Sequence, residues 1–358
     1  WPSMDLCAEM LRDQLTRLPS VSVTDLLPPF RRRFTRIPGL SRRGAAFNLD
    51  RLLNRFVDYP RHLRRLSGRF DYYHVCDHSY SQLVHALPAD RTGVYCHDLD
   101  TFRSVLSPQA EPRPGWFRRM VRRTLDGLRK AAVVFYSTRT VRDQILAHGL
   151  IDETRLVHAP YGISPEFRPE PTELDREPLS GLASRPFLLH VGSCIPRKRI
   201  DVLLRVFAEV RRSEPELLLV QVGGEWTTDQ RALMIELHLN DNVRQVRGVT
   251  RETIAALARR ARLTLLTSEA EGFGLPAIEA MACGSVVVAS DIPVFREVGG
   301  EAVVYAPVGD VGAWSDTVRS LLSGKVEPPA RESRLAWASR YSWESHARTI
   351  LDAYRRLP

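Results

Sequence analysis

At 358 residues, 44% of them hydrophobic, the chain is long enough to bury two cores and has an ordinary globular composition. Its 51 lysines and arginines against 42 aspartates and glutamates leave a formal charge of +9. No apolar run nears the ~18 residues of a membrane span, and no signal-peptide pattern opens the sequence. The five cysteines (Cys7, Cys76, Cys96, Cys194, Cys283) are scattered without a C-x-x-C pair. This disfavours a disulfide framework and a zinc site, and a cytoplasmic location is expected.

Strand and helix patterns alternate throughout, which predicts an α/β fold with mainly parallel sheets. A helical pattern over 3–18 follows Trp1-Pro2 directly, and strand patterns come at 21–26, 71–76, 92–97, 131–137 and 155–161. Between Arg31 and Arg69 twelve arginines face only two acids, Asp50 and Asp58, a local charge of +10. Such a block is a solvated face, a surface for anionic lipid or a pyrophosphate-linked acceptor, or a nucleic-acid surface without its usual motif. Arg31, Arg32 and Arg33, in a loop between Pro29 and Pro38, are expected to reach outward. Trp116, Phe117, Met120, Val121, Leu125 and Leu128 form one apolar helical stripe, with Arg118, Arg119, Arg122 and Arg123 around it. The strand over 92–96 delivers His97-Asp98-Leu99-Asp100 at its C-terminal end, where ligands of such sheets bind. His97 is either a site residue or a packing histidine. A metal held by His78, His97 and Asp98 is a further reading, without ligand spacing to support it. Residues 165–186, rich in proline and acid and without periodicity, read as a linker.

The second half offers strands at 187–191, 216–223, 242–248, 263–268, 285–290 and 302–306. Ile200, Leu203, Leu204, Phe207 and Val210 make an apolar helical stripe between the first two. Ahead of it stands Gly192-Ser193-Cys194-Ile195-Pro196-Arg197-Lys198-Arg199. Three cations at a helix start oppose the helix dipole, so an anion is expected there. Only three of the 51 basic residues are lysines, so Lys198 is not the chain's default choice. It is expected to be exposed and unpaired until an anionic transition state forms. Further on runs Glu271-Gly-Phe-Gly-Leu-Pro-Ala-Ile-Glu279-Ala-Met-Ala-Cys-Gly284. Pro276 suits the start of a helix and Gly284 its stop. The N–H groups of Phe273, Gly274 and Leu275 then lie at a helix N-terminus and suit phosphate. Glu279, deeper in the helix, suits the hydroxyls of a ribose, and Glu271 those of a second polyol. Phosphate between two polyols describes a nucleotide sugar.

The Glu271–Gly284 segment resembles the donor site of the family-4 retaining glycosyltransferases, whose signature is two glutamates around a GFG-L-P core followed by E-A-M-A-x-G. Gly192–Arg199 resembles the family's G-x-x-x-P-R-K-N motif, with Arg199 for asparagine and Ser193 where many members have arginine. The resemblance implies the GT-B fold: two Rossmann-like doubly wound domains facing a cleft. It divides the chain into an acceptor-side domain (1–164), a linker (165–186), a donor domain (187–340) and a C-terminal helix (341–358) crossing back to the first domain. It implies catalytic roles for His97, Arg197, Lys198 and Glu271. Gly192, Ser193, Val249, Phe273, Gly274, Leu275 and Glu279 are implied to bind the donor. His158-Ala-Pro-Tyr161-Gly162-Ile163 resembles the family's N-G-I/V-D step. Trp1-Pro2-Ser3-Met4-Asp5 resembles the end of a glycine loop whose preceding strand is expected to be absent from this sequence. No metal and no cofactor are implied. The expected partners are a UDP-, GDP- or ADP-sugar and a glycan, lipid-linked or small-molecule acceptor, with contact to an anionic membrane through Arg31–Arg69 at its cytoplasmic face. The implied activity is metal-independent, retaining sugar transfer in bacterial surface polysaccharide or glycoconjugate synthesis. An epimerase, a phosphorylase-like enzyme and a silent donor-binding subunit are the alternatives on the same fold.

Overall fold

The computed structural model describes residues 2–37, 44–177, 179, 182 and 185–357. Trp1, Pro38, Arg42 and Arg43 lie outside the described residues. So do Pro178, Ser180, Gly181, Ala183 and Ser184 of the expected linker. The chain divides into two compact units, Trp1–Pro160 with Trp343–Pro358, and Tyr161–Ser342.

In the first unit, β1 (Tyr73–Val75), β2 (Thr92–Cys96), β3 (Val133–Tyr136) and β4 (Leu156–His158) form a parallel sheet in chain order. Every residue of β2 and β3 is buried, as in a parallel sheet covered on both faces. Helix Gly115–Lys130 buries Val121, Leu125 and Leu128. Trp116, expected in that stripe, is 60% exposed. It sits one residue off the row Phe117, Val121, Leu125, so it faces away from the core. The strand expected over 21–26 does not form. Pro28-Pro29 follow it without ladder donors, and no described strand lies beside it to supply cross-strand packing. Arg33, expected to reach outward, turns in to Asp58 at 2.7 and 2.8 Å. The closing helix Trp343–Arg355 belongs to this unit. The Tyr354 hydroxyl donates to the Tyr73 carbonyl at 3.0 Å and lies 2.8 Å from His74 Nδ1. Gly93 on β2 has no side chain because a Cβ there would collide with that hydroxyl.

In the second unit, β5 (Phe187–Gly192), β6 (Leu218–Gly223), β7 (Val243–Val246), β8 (Leu263–Leu266), β9 (Val287–Ser290) and β10 (Val304–Ala306) are all parallel. Their order is β10-β9-β8-β5-β6-β7. Helix Ile200–Arg211 buries the predicted stripe of Ile200, Leu203, Leu204, Phe207 and Val210. The segment expected as a linker lies within this unit. Asp175 accepts from Arg259 Nε and Nη2, each at 2.7 Å, which ties the segment to helix Arg251–Arg260. The chain steps outward from β5 to β7, then returns to β5's other side with β8. Strand order therefore reverses between β5 and β8. Ligands of open α/β sheets bind beyond the strand ends at such a reversal.

Candidate functional site

The loops after β5 and β8 are stitched together. The Glu269 N–H donates to the Arg197 carbonyl at 2.9 Å, and the Thr267 hydroxyl donates to the Lys198 carbonyl at 2.9 Å. These bonds bring the basic run beside Glu271. Lys198 Nζ lies 2.5 Å from Glu271 Oε1, Arg197 Nη1 lies 2.8 Å from Oε2, and the Ser268 hydroxyl donates to Oε1 at 2.7 Å. Burial alone would push the Glu271 carboxyl up. Lys198 first, then Arg197 and the hydrogen bonds of Lys198 and Ser268, outweigh it and hold the pKa below its ordinary value.

Lys198 was expected to stand exposed and unpaired. It is instead buried, with its ammonium on Glu271. The ammonium and the carboxylate pair because leaving either charge alone in a partly desolvated site costs more than pairing them. The anion expected beside the basic run is thus supplied by the chain itself. Arg199 bonds Asp201 at 3.0 and 2.9 Å and Glu269 at 3.3 Å. It has φ 49° and ψ 51°, a left-handed conformation that asparagine tolerates better than arginine.

Gly274 (φ 89°) begins helix Leu275–Ala282, with Pro276 in its first turn. A Cβ on Gly274 would lie 2.7 Å from the Phe295 ring, so the loop requires glycine on two counts. The helix stops at Gly284 (φ 80°). The Gly284 N–H bonds the Met281 carbonyl and the Ser285 N–H the Ala280 carbonyl, the double closure of a glycine-stopped helix. Phe273 is buried edge-on against Tyr161 (4.9 Å) and Tyr341 (5.6 Å), so its ring anchors the loop and its backbone is what a ligand would meet.

Glu279 faces Arg251 at 3.2 Å, and Arg251 also approaches Glu166 at 3.5 Å. Burial pushes the Glu279 carboxyl up to about 7, with Glu166 adding to burial and Arg251 opposing it. Arg251 and Glu166 escaped the sequence reading. The available signal was the one used for Arg197: a cation at the first residue of a helix, where the dipole opposes it. Ser268, two residues past β8, carried no such signal. Gly192 ends β5, and its carbonyl accepts from the Gln221 side chain at 2.9 Å. Ser193 follows it, half-buried, and Val249 is half-buried in the loop between β7 and helix Arg251–Arg260.

His97 lies in the first unit just past β2 and is 4% exposed. Its Nε2 is 2.7 Å from the Cys76 carbonyl, so that nitrogen carries the proton. Burial, then the neighbouring His78, lowers its pKa to about 4. His78 lies 3.5 Å from Asp98. Burial lowers the His78 pKa, but Asp98 outweighs it and the net direction is up. The pair therefore consists of a neutral His97 beside a His78 biased towards charge. The His97 Nε2 lone pair is thereby unavailable to a metal, and no described group of three His, Cys, Asp or Glu is placed to hold one.

Residues 173–340 match the family model of the glycosyl transferases group 1. The O-antigen chain mannosyltransferase B of Escherichia coli is 33% identical over 182 residues, 49% of this chain and 47% of its own. The D-inositol 3-phosphate glycosyltransferase 2 of Catenulispora acidiphila is 34% identical over 209 residues, 53% of this chain and 48% of its own. The chain spans about half the length of these curated relatives. A crystal structure of Anabaena Alr3699/HepE in complex with UDP and glucose is similar at a TM-score of 0.70 and 18% identity, over 85% of this chain and 83% of that one. Two parallel-sheet α/β units with such neighbours show the GT-B fold.

Proposed function

We propose that the protein is a retaining glycosyltransferase that takes its sugar from a nucleotide-diphosphate donor held in the second unit. The observation that carries this reading is the convergence of Arg197, Lys198, Glu271 and the Gly274–Leu275 helix start at the reversal between β5 and β8. Arg197, Lys198 and the first-turn N–H groups offer charge and dipole to a pyrophosphate, the group on which charge develops as the anomeric C–O bond breaks. Two side-chain cations and a helix end supply that charge without a divalent ion. Glu271 already accepts three bonds out of roughly four a carboxylate offers, which leaves one position for a donor-sugar hydroxyl. Saturation by cations argues against a free nucleophile, so the departing phosphate takes the acceptor proton on the same face. Glu279 accepts from the ribose. The acceptor is a glycan, a lipid-linked sugar or a small molecule of surface-glycan synthesis. The name of the Escherichia coli relative makes a mannosyl donor the first to test.

The test is a thermal-shift and turnover screen across UDP-, GDP- and ADP-sugars, with and without a chelator, and anomeric NMR of the product. Stabilisation follows RT ln(1 + [L]/Kd), so a donor at about 100 times its Kd adds about 2.7 kcal/mol and stands out from the others. Inversion at the anomeric carbon, or loss of turnover with chelator, would contradict the retaining or metal-independent reading. Acceptor-free conversion of the donor would favour an epimerase.

A further inference from the structure

Helix Gly44–Leu53, the π turn Asn54–Asp58 and helix Tyr59–Arg64 follow one another without a break. Their inner side carries Asp50, Asn54 and Asp58, four residues apart and 0%, 1% and 7% exposed. All three grip one short segment. Asp50 accepts from the N–H of Arg33 and Phe34 at 3.0 Å, the N–H of Thr35 at 3.1 Å and the Thr35 hydroxyl at 2.7 Å. Asn54 accepts from the Arg31 N–H at 2.7 Å and donates to the Arg31 carbonyl at 2.8 Å. Asp58 holds the Arg33 guanidinium through both oxygens. Exposed apolar side chains flank the clamped segment. Leu27 is 84% exposed, Phe30 38% and, across from it on helix Gly44–Leu53, Phe47 49%. The Phe30 and Phe47 rings lie 5.8 Å apart, and Arg51 sits 6.0 Å from the Phe47 ring.

Arg31, Arg32 and Arg36 on the clamped segment and Arg51 on the helix are all exposed. The only acids between Arg31 and Arg69, Asp50 and Asp58, are both turned inward. Arg31 leans towards Asp58 at 3.8 Å yet stays 64% exposed. Asp25, the nearest acid before the segment, is tied to Arg12 at 3.2 Å. The face thus carries positive charge with little surface carboxylate of its own segment to answer it, and apolar side chains in its midst.

We propose that this face docks on the anionic headgroup layer of a lipid bilayer, with Arg31, Arg32, Arg36 and Arg51 against the headgroups and Leu27, Phe30 and Phe47 entering the interface. An interface that is negative outside and apolar just beneath matches both features at once. A nucleic acid would satisfy the arginines but leave Leu27 in water, and the two rings are tilted against each other rather than open for base stacking. Sugar transfer is not a premise of this proposal, and the test reads no turnover.

The test uses the whole chain and vesicles of phosphatidylcholine alone or with about a third phosphatidylglycerol, sedimented at about 50 mM and about 500 mM salt. Binding is expected to the mixed vesicles only, and to weaken at least tenfold across that salt range. Arg31→Gln with Arg32→Gln should weaken it by up to about twenty-fivefold, from roughly fivefold per arginine. Phe30→Ser with Phe47→Ser should weaken it about tenfold at both salt levels. Both pairs are exposed, so melting temperatures should hold. Equal recovery with neutral and mixed vesicles at low salt overturns the proposal. Undiminished binding by the serine pair overturns the apolar half of it. A duplex oligonucleotide that displaces vesicles at equal phosphate overturns it in favour of nucleic acid. If the serine pair fails to fold, the glutamine pair decides alone: undiminished binding overturns the proposal.

Discussion

The protonation of Glu279 is set by burial, Glu166 and Arg251, and it gives the proposed nucleotide site a pH dependence. In the folded chain the carboxyl keeps its proton up to about pH 7, against an ordinary value of 4.5. Between those values the folded state binds the extra proton. This group's contribution to stability is therefore fully present below about 4.5 and lost as pH rises through about 7. Nucleotide affinity should run the other way, because an ionised carboxylate is the stronger acceptor for ribose hydroxyls. A charged hydrogen bond exceeds a neutral one by about 1 kcal/mol. Calorimetric titration should then show binding tightening about fivefold from about pH 6 to about pH 8. Glu279→Gln should bind more weakly and with a flat profile. A flat profile in the unaltered protein would remove the ribose role.

Lys198 belongs to the same scale. Lys198→Ala leaves Glu271 buried with Arg197 and Ser268 only, and the loss should be about 2–3 kcal/mol, less than for a carboxylate stripped of every partner. Turnover should fall as well. Adding Glu271→Gln should restore most of the stability and none of the turnover, which separates the resting pair from the leaving-group role. A Lys198→Ala protein with unchanged melting temperature would contradict the pairing. Neither the burial of Lys198 nor the grip of Asp50 on the 31–35 segment was legible in the sequence. A lysine's neighbour depends on a loop residue 73 positions away, and acids spaced four apart read equally well as a wet helix face.

At the scale of elements, the strand–glycine loop–helix unit was legible because each punctuating residue has a local cause. Gly274 takes a left-handed turn, Pro276 sits in a first turn and Gly284 takes the stop. The strand expected over 21–26 had one local warning, Pro28-Pro29 just after it, and otherwise failed for want of a partner among the described strands, which no local pattern records. Gly274→Ala combines an unfavourable φ with a 2.7 Å approach to Phe295. Left-handed strain of about 1–2 kcal/mol plus the forced shift should cost about 2–4 kcal/mol. Because the shift moves the helix start, nucleotide affinity should fall with stability. Adding Phe295→Leu should recover part of the stability by making room, but not the φ penalty. Full stability in Gly274→Ala would mean the loop is looser than its dihedral angles state.

At the scale of the molecule, alternating patterns foretold two parallel sheets but not the order β10-β9-β8-β5-β6-β7, since parallel strands of similar composition carry no label of their neighbours. The return of the last helix to the first unit was implied by the family resemblance and by no local pattern, and it makes that unit discontinuous: Trp1–Pro160 is completed by Trp343–Pro358. His346 and Tyr354 are among the residues that fasten it. His346 Nδ1 lies 2.9 Å from the Pro160 carbonyl, and the Tyr354 hydroxyl reaches Tyr73 and His74. Burial, then His346 and His97, holds the His74 imidazole down to about 3, so it meets the Tyr354 hydroxyl as a neutral ring. Tyr354→Ala empties a buried aromatic site and unpairs the Tyr73 carbonyl, at a cost of about 3–5 kcal/mol. The loss should be confined to the unit the helix completes. Hydrogen exchange should quicken at the amides of β1 and β2 while those of β5 and β8 keep their protection. Tyr354→Phe should lose only the hydrogen bonds, about 1–3 kcal/mol with the carbonyl left unmet. Equal quickening in β8 would show that the closing helix supports the whole chain rather than the sheet it packs on.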